Sequence, residues 1–409
     1  MPLRIGQQFD IVTAEAGAAA LRSHHDEASR ELPRGMLPGI ASGLIAIGLL
    51  FGMGGPLWPD VLDAFEVSKS QFGLMSGLGL ALSLPVLLFG SRITQSAGNF
   101  NVLLVAVLML AGSAVLIAAI EGGILVLVGI ILIRGMGIAL SDLTANTLTM
   151  DAERILGRHL MGPLHAMFSA GSIAGAGAVA VGLAVSLSFR SLYAGLAVAL
   201  LMLAVLFVFP KRAHDRSVKA LGAQRPIQFR LALSSPLIRL CGLLTALSFA
   251  GEVVIADWTA LYLRDERGVS SSFAAACIVA FAIAMLVGRL LNGRMIARFG
   301  VRGAIMLQGG VSIAGGAMIV IESASVLAMA GCALAGFGLA GIGPTALSVA
   351  GLALPDDPAS AAGVTLAGGY IGLASTPVVS GLVADGLSTR TTLSFVMLLG
   401  ALCVFFARG

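Results

Sequence analysis

Charge is scarce in this chain. Of its 409 residues only 11% are Asp, Glu, Lys or Arg, against about 25% in an ordinary soluble domain, so most of the chain is built for a solvent other than water. Aromatic residues are few as well, at 6%. Cysteine is limited to Cys241, Cys277, Cys332 and Cys403, all in apolar runs of the second half and without metal-ligand spacing; they read as small packing residues. No G-x-x-x-x-G-K-[ST] phosphate cradle occurs, which argues against ATP as an energy source. No His/Cys cluster is spaced for a metal, and the adjacent His24 and His25 sit in a polar tail. An enzyme, a cofactor and a bound metal are therefore not expected.

Apolar residues make up 57% of the chain, mean hydropathy is +0.98, and there are 53 glycines. Long apolar runs with little period-2 alternation point to membrane-spanning helices rather than barrel strands, and abundant glycine suits close helix packing in lipid. Runs long enough to cross about 30 Å of hydrocarbon fall at 36–58, 70–91, 99–120, 123–149, 161–187, 191–210, 237–263, 270–288, 303–321, 324–350, 359–383 and 391–407. Residues 1–34 are polar and carry nine charges, and the first apolar run opens near Gly35 without an A-x-A site, so no cleavable signal peptide is expected.

The basic residues orient the chain. With the N-terminus inside, the outside loops hold only Lys69, Arg190, Arg264, Arg267 and Arg390, which places both termini in the cytoplasm by the positive-inside rule. The largest basic cluster, Lys211 to Arg239, lies between the sixth and seventh runs. It reads as a topology anchor beside anionic headgroups, and no nucleic-acid partner is expected. The expected organisation is a tail (1–35), a six-helix bundle (36–210), a basic linker (211–236) and a second six-helix bundle (237–409).

The halves repeat. Gly135-Met136-Gly137-Ile138-Ala139 recurs as Gly336-Phe337-Gly338-Leu339-Ala340, Trp58 as Trp258, and Val67-Ser68-Lys69-Ser70 as Val269-Ser270-Ser271-Ser272, at offsets of 200 to 202. A near-constant offset between corresponding helices indicates a duplicated six-helix unit, and two such bundles around a central path are a carrier architecture.

Four charged residues lie deep in the apolar runs: Arg134, Asp142, Glu252 and Asp257. Each costs roughly 2.5–3.5 kcal/mol at the centre of a bilayer helix, so intramembrane charges mark solute or proton paths, or locks between helices. Asp142 and Asn146 are four apart and share a helix face; an aspartate there fits proton coupling, or a structural polar contact. Arg134 lies about 12 Å along the same helix from Asp142, too far for a direct pair, and fits either an anionic solute or a packing lock. Glu252, mid-way along the seventh run, is a candidate for proton or solute contact. Asp257 fits an outside gate or a pair with Arg264, and Trp258 fits a solute contact or an interfacial aromatic belt. Tyr370 and Gln308 are candidates for polar lining. His165 fits a proton role, since histidine as a residue type titrates near neutral pH, or packs as a hydrogen-bonded residue. Gly343 and Pro344, within Gly341-Ile342-Gly343-Pro344-Thr345, are expected to bend or loosen the tenth helix as a gate. Gly171-x-x-x-Gly175 and Gly368-x-x-x-Gly372 read as contact faces.

Over residues 36 to 409 the chain resembles the major facilitator superfamily. Gly288-Arg289-Leu290-Leu291-Asn292-Gly293-Arg294-Met295-Ile296-Ala297-Arg298-Phe299-Gly300-Val301-Arg302 resembles that superfamily's helix 8–9 loop motif, which implies gating roles for Arg289, Arg294 and Arg298. The first-half copy, Gly90 to Gly98, lacks the usual acid. Arg134-Gly135-Met136-Gly137 resembles the helix 4 motif with its embedded arginine. Asp142-Leu143-Thr144-Ala145-Asn146, His165-Ala166-Met167-Phe168-Ser169, Glu252 and Ala256-Asp257-Trp258 resemble a bacterial inner-membrane subgroup, for some of whose members inositol-like solutes are suggested. The acid-x-x-x-Asn pattern is also similar to fucose/proton symporters, where the helix 4 acid is linked to proton coupling; their second acid, in helix 1, is missing here. The resemblance implies a twelve-helix all-α carrier in a bacterial inner membrane, monomeric, taking up a small polar solute with protons through Asp142, Glu252 and Arg134. A drug- or metabolite-exporting proton antiporter and a non-transporting receptor are the alternatives.

Overall fold

A computed structural model describes residues 35–82, 85–86, 93–94, 96–156, 160–208, 229–321, 325–354 and 358–408. The N-terminal tail, most of the basic linker, and part of the first-half copy of the loop motif, Arg92 included, lie outside them. Among the described residues there is no strand. The order is α1 (Met36–Ala64), α2 (Lys69–Ala81), α3 (Asn99–Ala119), α4 (Ile124–Leu156), α5 (Met161–Ala184) and α6 (Phe189–Leu203, ending in a π turn Ala204–Val208). A short helix, Phe229–Ser234, precedes α7 (Pro236–Leu261, with a π turn Tyr262–Glu266). The run Ser271–Val320 is broken at Gly300 (φ 69, ψ 171) into α8 (271–299) and α9 (301–320). Then come α10 (Ser325–Leu339 and Ile342–Ala353), α11 (Pro358–Gly386) and α12 (Thr389–Arg408). Ten described helices are long and apolar enough to span a membrane. Separating α8 from α9 and adding α2, of which only part is described, makes the expected twelve, an all-α membrane fold of two six-helix bundles.

Packing repeats between the halves atom for atom in kind. Ser68 caps α2 by accepting from the Gln71 amide, and Ser270 caps α8 by accepting from the Phe273 amide, 202 residues on. Ser188 and Ser388 do the same for α6 and α12 by accepting from the Ser191 and Thr391 amides. A Cβ on Gly135 would strike the Gly79 carbonyl of α2, and one on Gly336 the Phe281 carbonyl of α8. Gly171 and Gly175 of α5 lie on the Ile45 and Leu49 carbonyls of α1, and Gly368 and Gly372 of α11 lie on the Gly242 and Ala246 carbonyls of α7. Helices approach this closely only where a side chain is missing, which is how lipid-embedded helices gain packing energy without a hydrophobic driving force. The register along α1 and α7 is here 197, so Trp58 and Trp258, 200 apart, are displaced by nearly one turn from strict equivalence.

Buried hydroxyls mostly bond back to their own helix. Ser42, Ser113, Thr144 and Thr149 donate to carbonyls three or four residues earlier at 2.6–2.7 Å, which satisfies them where no water reaches. Helix α10 breaks at Ala340–Gly341, as Gly341 to Thr345 led one to expect. Pro344 falls in the first turn of the second segment, where its missing N–H costs little. Ser248 of α7 donates to the freed Leu339 carbonyl at 3.1 Å.

The loop motif is not a loop. Helix α8 continues to residue 299, so Arg289, Asn292, Arg294 and Arg298 all lie on a helix and only Gly300, with its positive φ, makes the turn. The expected end at 288 came from counting apolar residues, and Arg289 escaped that count because its charge is compensated inside the protein.

Candidate functional site

The two halves meet along several helix pairs. At the end carrying the α1–α2 turn, Gly55 of α1 presses on the Ala256 carbonyl of α7, and Gly73 and Gly77 of α2 press on the Pro377 and Ala374 carbonyls of α11. Trp58, Phe72 and Trp258 pack there, the first pair tilted and the second edge to face, with ring centroids 4.7 Å and 5.9 Å apart, and all three are buried. Ion pairs close the rim. Arg264 of the second half reaches Asp60 and Asp63 of the first, both at 3.1 Å, and Lys69 of the first reaches Asp265 of the second at 3.2 Å. Ser70 N–H donates to Asp385 at 2.8 Å. These ion pairs join the halves at this end.

Deeper in, the embedded charges form three groups. The first is built on Asp142 of α4. Asn146, one turn on, donates its Nδ2 to Asp142 Oδ1 at 3.1 Å. Tyr370 of α11, in the other half, donates its hydroxyl to Asp142 Oδ2. His165 of α5 bonds Asn146 Oδ1 through Nε2 at 2.8 Å. The second group is Glu252 of α7 with Arg289 of α8 at 3.4 Å. Arg289 also donates to Ser169 of α5 at 3.0 Å and lies 5.9 Å from the Phe168 ring, so it bridges the halves. Glu252 and Arg289 keep 18% and 19% of their side-chain surface accessible. Glu252 Oε1 and Arg289 Nε have no partner among the described residues.

The third group lies nearer the closed end. Trp58 donates its Nε1 to Asp257 at 3.2 Å, and the Arg134 guanidinium stacks 4.7 Å over the Trp58 ring. Arg134 is 8% exposed, and its Nη1 has no partner among the described residues. A cation over an indole face gains electrostatic attraction that grows as water leaves.

Of the predicted residues, Asp142, Asn146 and Tyr370 come together, Glu252 joins Arg289, and Arg134 and Asp257 both meet Trp58. Arg134 and Asp142 do not pair, in keeping with their spacing. Asp257 does not pair with Arg264, because Arg264 sits beyond it on the π turn and is taken by Asp60 and Asp63. Trp258 is fully buried against Phe72 rather than in an interfacial belt. Gln308 does not line the interface: it is buried inside the second half, donating to Asn292, which donates to Thr345 beside the α10 break. Arg294 and Arg298 are exposed, and neither has an ion-pair partner among the described residues. The sequence left Trp58 and Ser169 without a site role; the offset match of Trp58 to Trp258, next to Asp257, was the available signal.

Comparison with known proteins gives the same architecture. A sequence profile of the Major Facilitator Superfamily matches residues 40–374 and 243–408. The uncharacterized transporter y4wD of Sinorhizobium fredii (strain NBRC 101917 / NGR234) is 29% identical over 378 residues, 90% of this chain and 96% of the relative. An uncharacterized MFS-type transporter of Yersinia pestis is 28% identical over 359 residues (86% and 90%), and the membrane protein MosC of Rhizobium meliloti is 25% identical over 411 (94% and 96%). A crystal structure of a mutant of the nucleoside transporter NupG superposes with a TM-score of 0.74 at 16% identity, covering 91% of this chain and 98% of that one. Two matched bundles, charges gathered between them and a family profile over most of the chain agree: the chain belongs to the Major Facilitator Superfamily and is a multi-pass membrane transporter of that type.

Proposed function

We propose that the protein takes up a small polar solute, a sugar, polyol or similar compound, together with protons, by alternating access. The observation that supports this most is the Asp142 group. An ionisable carboxylate of one half is held by a tyrosine of the other, so any movement of the halves apart removes a hydrogen bond from that carboxylate. Hydrogen bonds to the charged form of an acid favour that form, and desolvation disfavours it. A change of conformation therefore changes the acid's hold on its proton, which is what coupling requires.

In this reading the closed α1–α2 end faces outward, both termini face the cytoplasm of a bacterial cell, and the protein works as a monomer in the inner membrane. Residues 36–210 and 237–409 move as the two bundles, joined by the basic linker. Asp142 and Glu252 handle protons, Arg134 tunes them, and the solute lies against Asn146, Glu252 and Tyr370. Trp258 and Asp257 serve the outer seal rather than the solute, and Gly343 and Pro344 let α10 flex. Uptake rather than export rests on the acid-x-x-x-Asn pattern. NupG is titled a nucleoside transporter; at 16% identity that title does not extend to the solute here.

The test is reconstitution. A thermal-shift screen of sugars, polyols, organic acids and amphiphiles selects the solute that stabilises the purified protein. In proteoliposomes that solute, added outside, is expected to carry protons inward with it, read as acidification of a trapped pH dye. Solute entry with no pH change would make the protein a uniporter, and binding without entry a receptor.

A further inference from the structure

The two segments of α10, parted at Ala340–Gly341, are held by different partners. Ser248 of α7 holds the end of the first segment through the Leu339 carbonyl. The second segment, Ile342–Ala353, is held by a chain of amides. Gln308 of α9 donates its Nε2 to Asn292 Oδ1 of α8 at 2.8 Å, and Asn292 donates its Nδ2 to the Thr345 hydroxyl at 2.9 Å. Gly341 makes room for this chain: a Cβ there would lie 2.3 Å from Asn292 Oδ1 and 2.4 Å from Gln308 Nε2. Gln308 is fully buried, and its Oε1 has no partner among the described residues. Gly341, which caps the second segment, has no side chain to accept from that segment's first amides. The network is therefore only partly satisfied in this conformation.

The repeated six-helix unit does not need this break. In the first half α4 runs unbroken from Ile124 to Leu156, through Leu140, 201 residues before Gly341. Gly137 packs on the Ala106 carbonyl as Gly338 packs on the Gln308 carbonyl, so Ala106 stands in the place of Gln308. Gly90 lies 202 residues before Asn292. The break and the amides thus occur together, and in one half only. Hinges take up their change of angle at a few residues at the ends of elements, and Ala340–Gly341 is such a place. We infer that Asn292 and Gln308 are the catch of an α10 hinge: they hold the second segment by Thr345 in the conformation closed at the α1–α2 end, and Asn292 releases Thr345 when that segment swings. Gln308 supports the grip, because its donation to the Asn292 carbonyl turns the Asn292 NH2 toward Thr345. The inference rests on the alternating-access reading and adds to it two positioning residues, which act through α10.

The experiment is spin-label distance measurement on the full chain in lipid. Labels on Ala297→Cys, near the end of α8, and Leu352→Cys, near the end of the second segment, sit at exposed positions and report that segment against its own half. A second pair, Ala64→Cys and Leu387→Cys, spans the closed end. Thr345→Val removes the hydroxyl, and Thr345→Ser keeps it. Thr345→Val is expected to raise the ratio of swung to held segment about fivefold, the effect of one net hydrogen bond, and to raise the open population at the closed end with it. Thr345→Ser is expected to match wild type. A merely structural contact gives a different result: Thr345→Val lowers the melting temperature and leaves both distance distributions as they were. That outcome would overturn the inference, as would equal shifts in the Val and Ser variants. Should Thr345→Val fail to fold, Gln308→Met replaces it, with the same shift expected and unchanged distributions again decisive against the catch. Failure here leaves solute-driven acidification intact, whereas the absence of acidification with the segment still shifting would remove the proton-coupled reading and leave the catch.

Discussion

Tyr370 reaches Asp142 across the boundary between the halves through its hydroxyl. Tyr370→Phe keeps the ring and removes the donor. A hydrogen bond to a charged group is worth about 1.5–3 kcal/mol, so uphill uptake is expected to fall by about tenfold or more, measured as initial uptake rate under a proton gradient. Glu252→Gln should act on stability as well. Removing one member of a buried pair leaves the other charge uncompensated, at about 3 kcal/mol, the low end of the usual cost because both side chains keep some accessible surface. Thermal unfolding should show the loss, and the double change Glu252→Gln with Arg289→Met should recover stability but not transport. Asp142 and Asn146 were legible as partners because four residues is one helical turn. Tyr370 was legible only as a polar residue in an apolar run, since nothing in a sequence fixes which residue 228 positions away an aspartate will meet. Arg289 was misplaced in a loop because its charge hid the continuation of α8.

At the scale of the element, glycine decides where helices touch. A Cβ on Gly171 would lie 2.5 Å from the Ile45 carbonyl, and the helices would have to separate. Gly171→Ala is expected to destabilise by about 1–3 kcal/mol, the usual cost of overpacking. Gly177→Ala, on the same helix with open space around it, should be neutral or stabilise by up to about 1 kcal/mol. Parallel melting curves of the two variants check both. The G-x-x-x-G spacing announced these faces, and the Gly-Pro sequence announced the break in α10. The point of the break and its partner, Ser248 of α7, depended on how α7 and α10 pack, which local sequence does not encode.

For the whole molecule, the duplication was readable as an offset, and the structure turns it into equivalent caps and equivalent glycine contacts. The conformational state was not readable. It depends on the balance of contacts at the two ends of the bundles, and here the ion pairs of Arg264 and Lys69 hold the α1–α2 end shut. Partly exposed pairs contribute about 0.2–1 kcal/mol each, and Asp63 is largely exposed. Arg264→Ala is therefore expected to cost the closed state about 1 kcal/mol and to raise the open population roughly fivefold. Spin labels on Ala64→Cys and Leu387→Cys report that distance, with little interference from the four native cysteines, which are buried.

All three scales meet in Asp142, whose bonds change when the halves move. The most direct measurement is solute transport by Asp142→Asn in proteoliposomes, uphill under a proton gradient and as exchange without one. The account predicts that uphill accumulation disappears while exchange between labelled and unlabelled solute continues. Uphill accumulation at the wild-type level would contradict it.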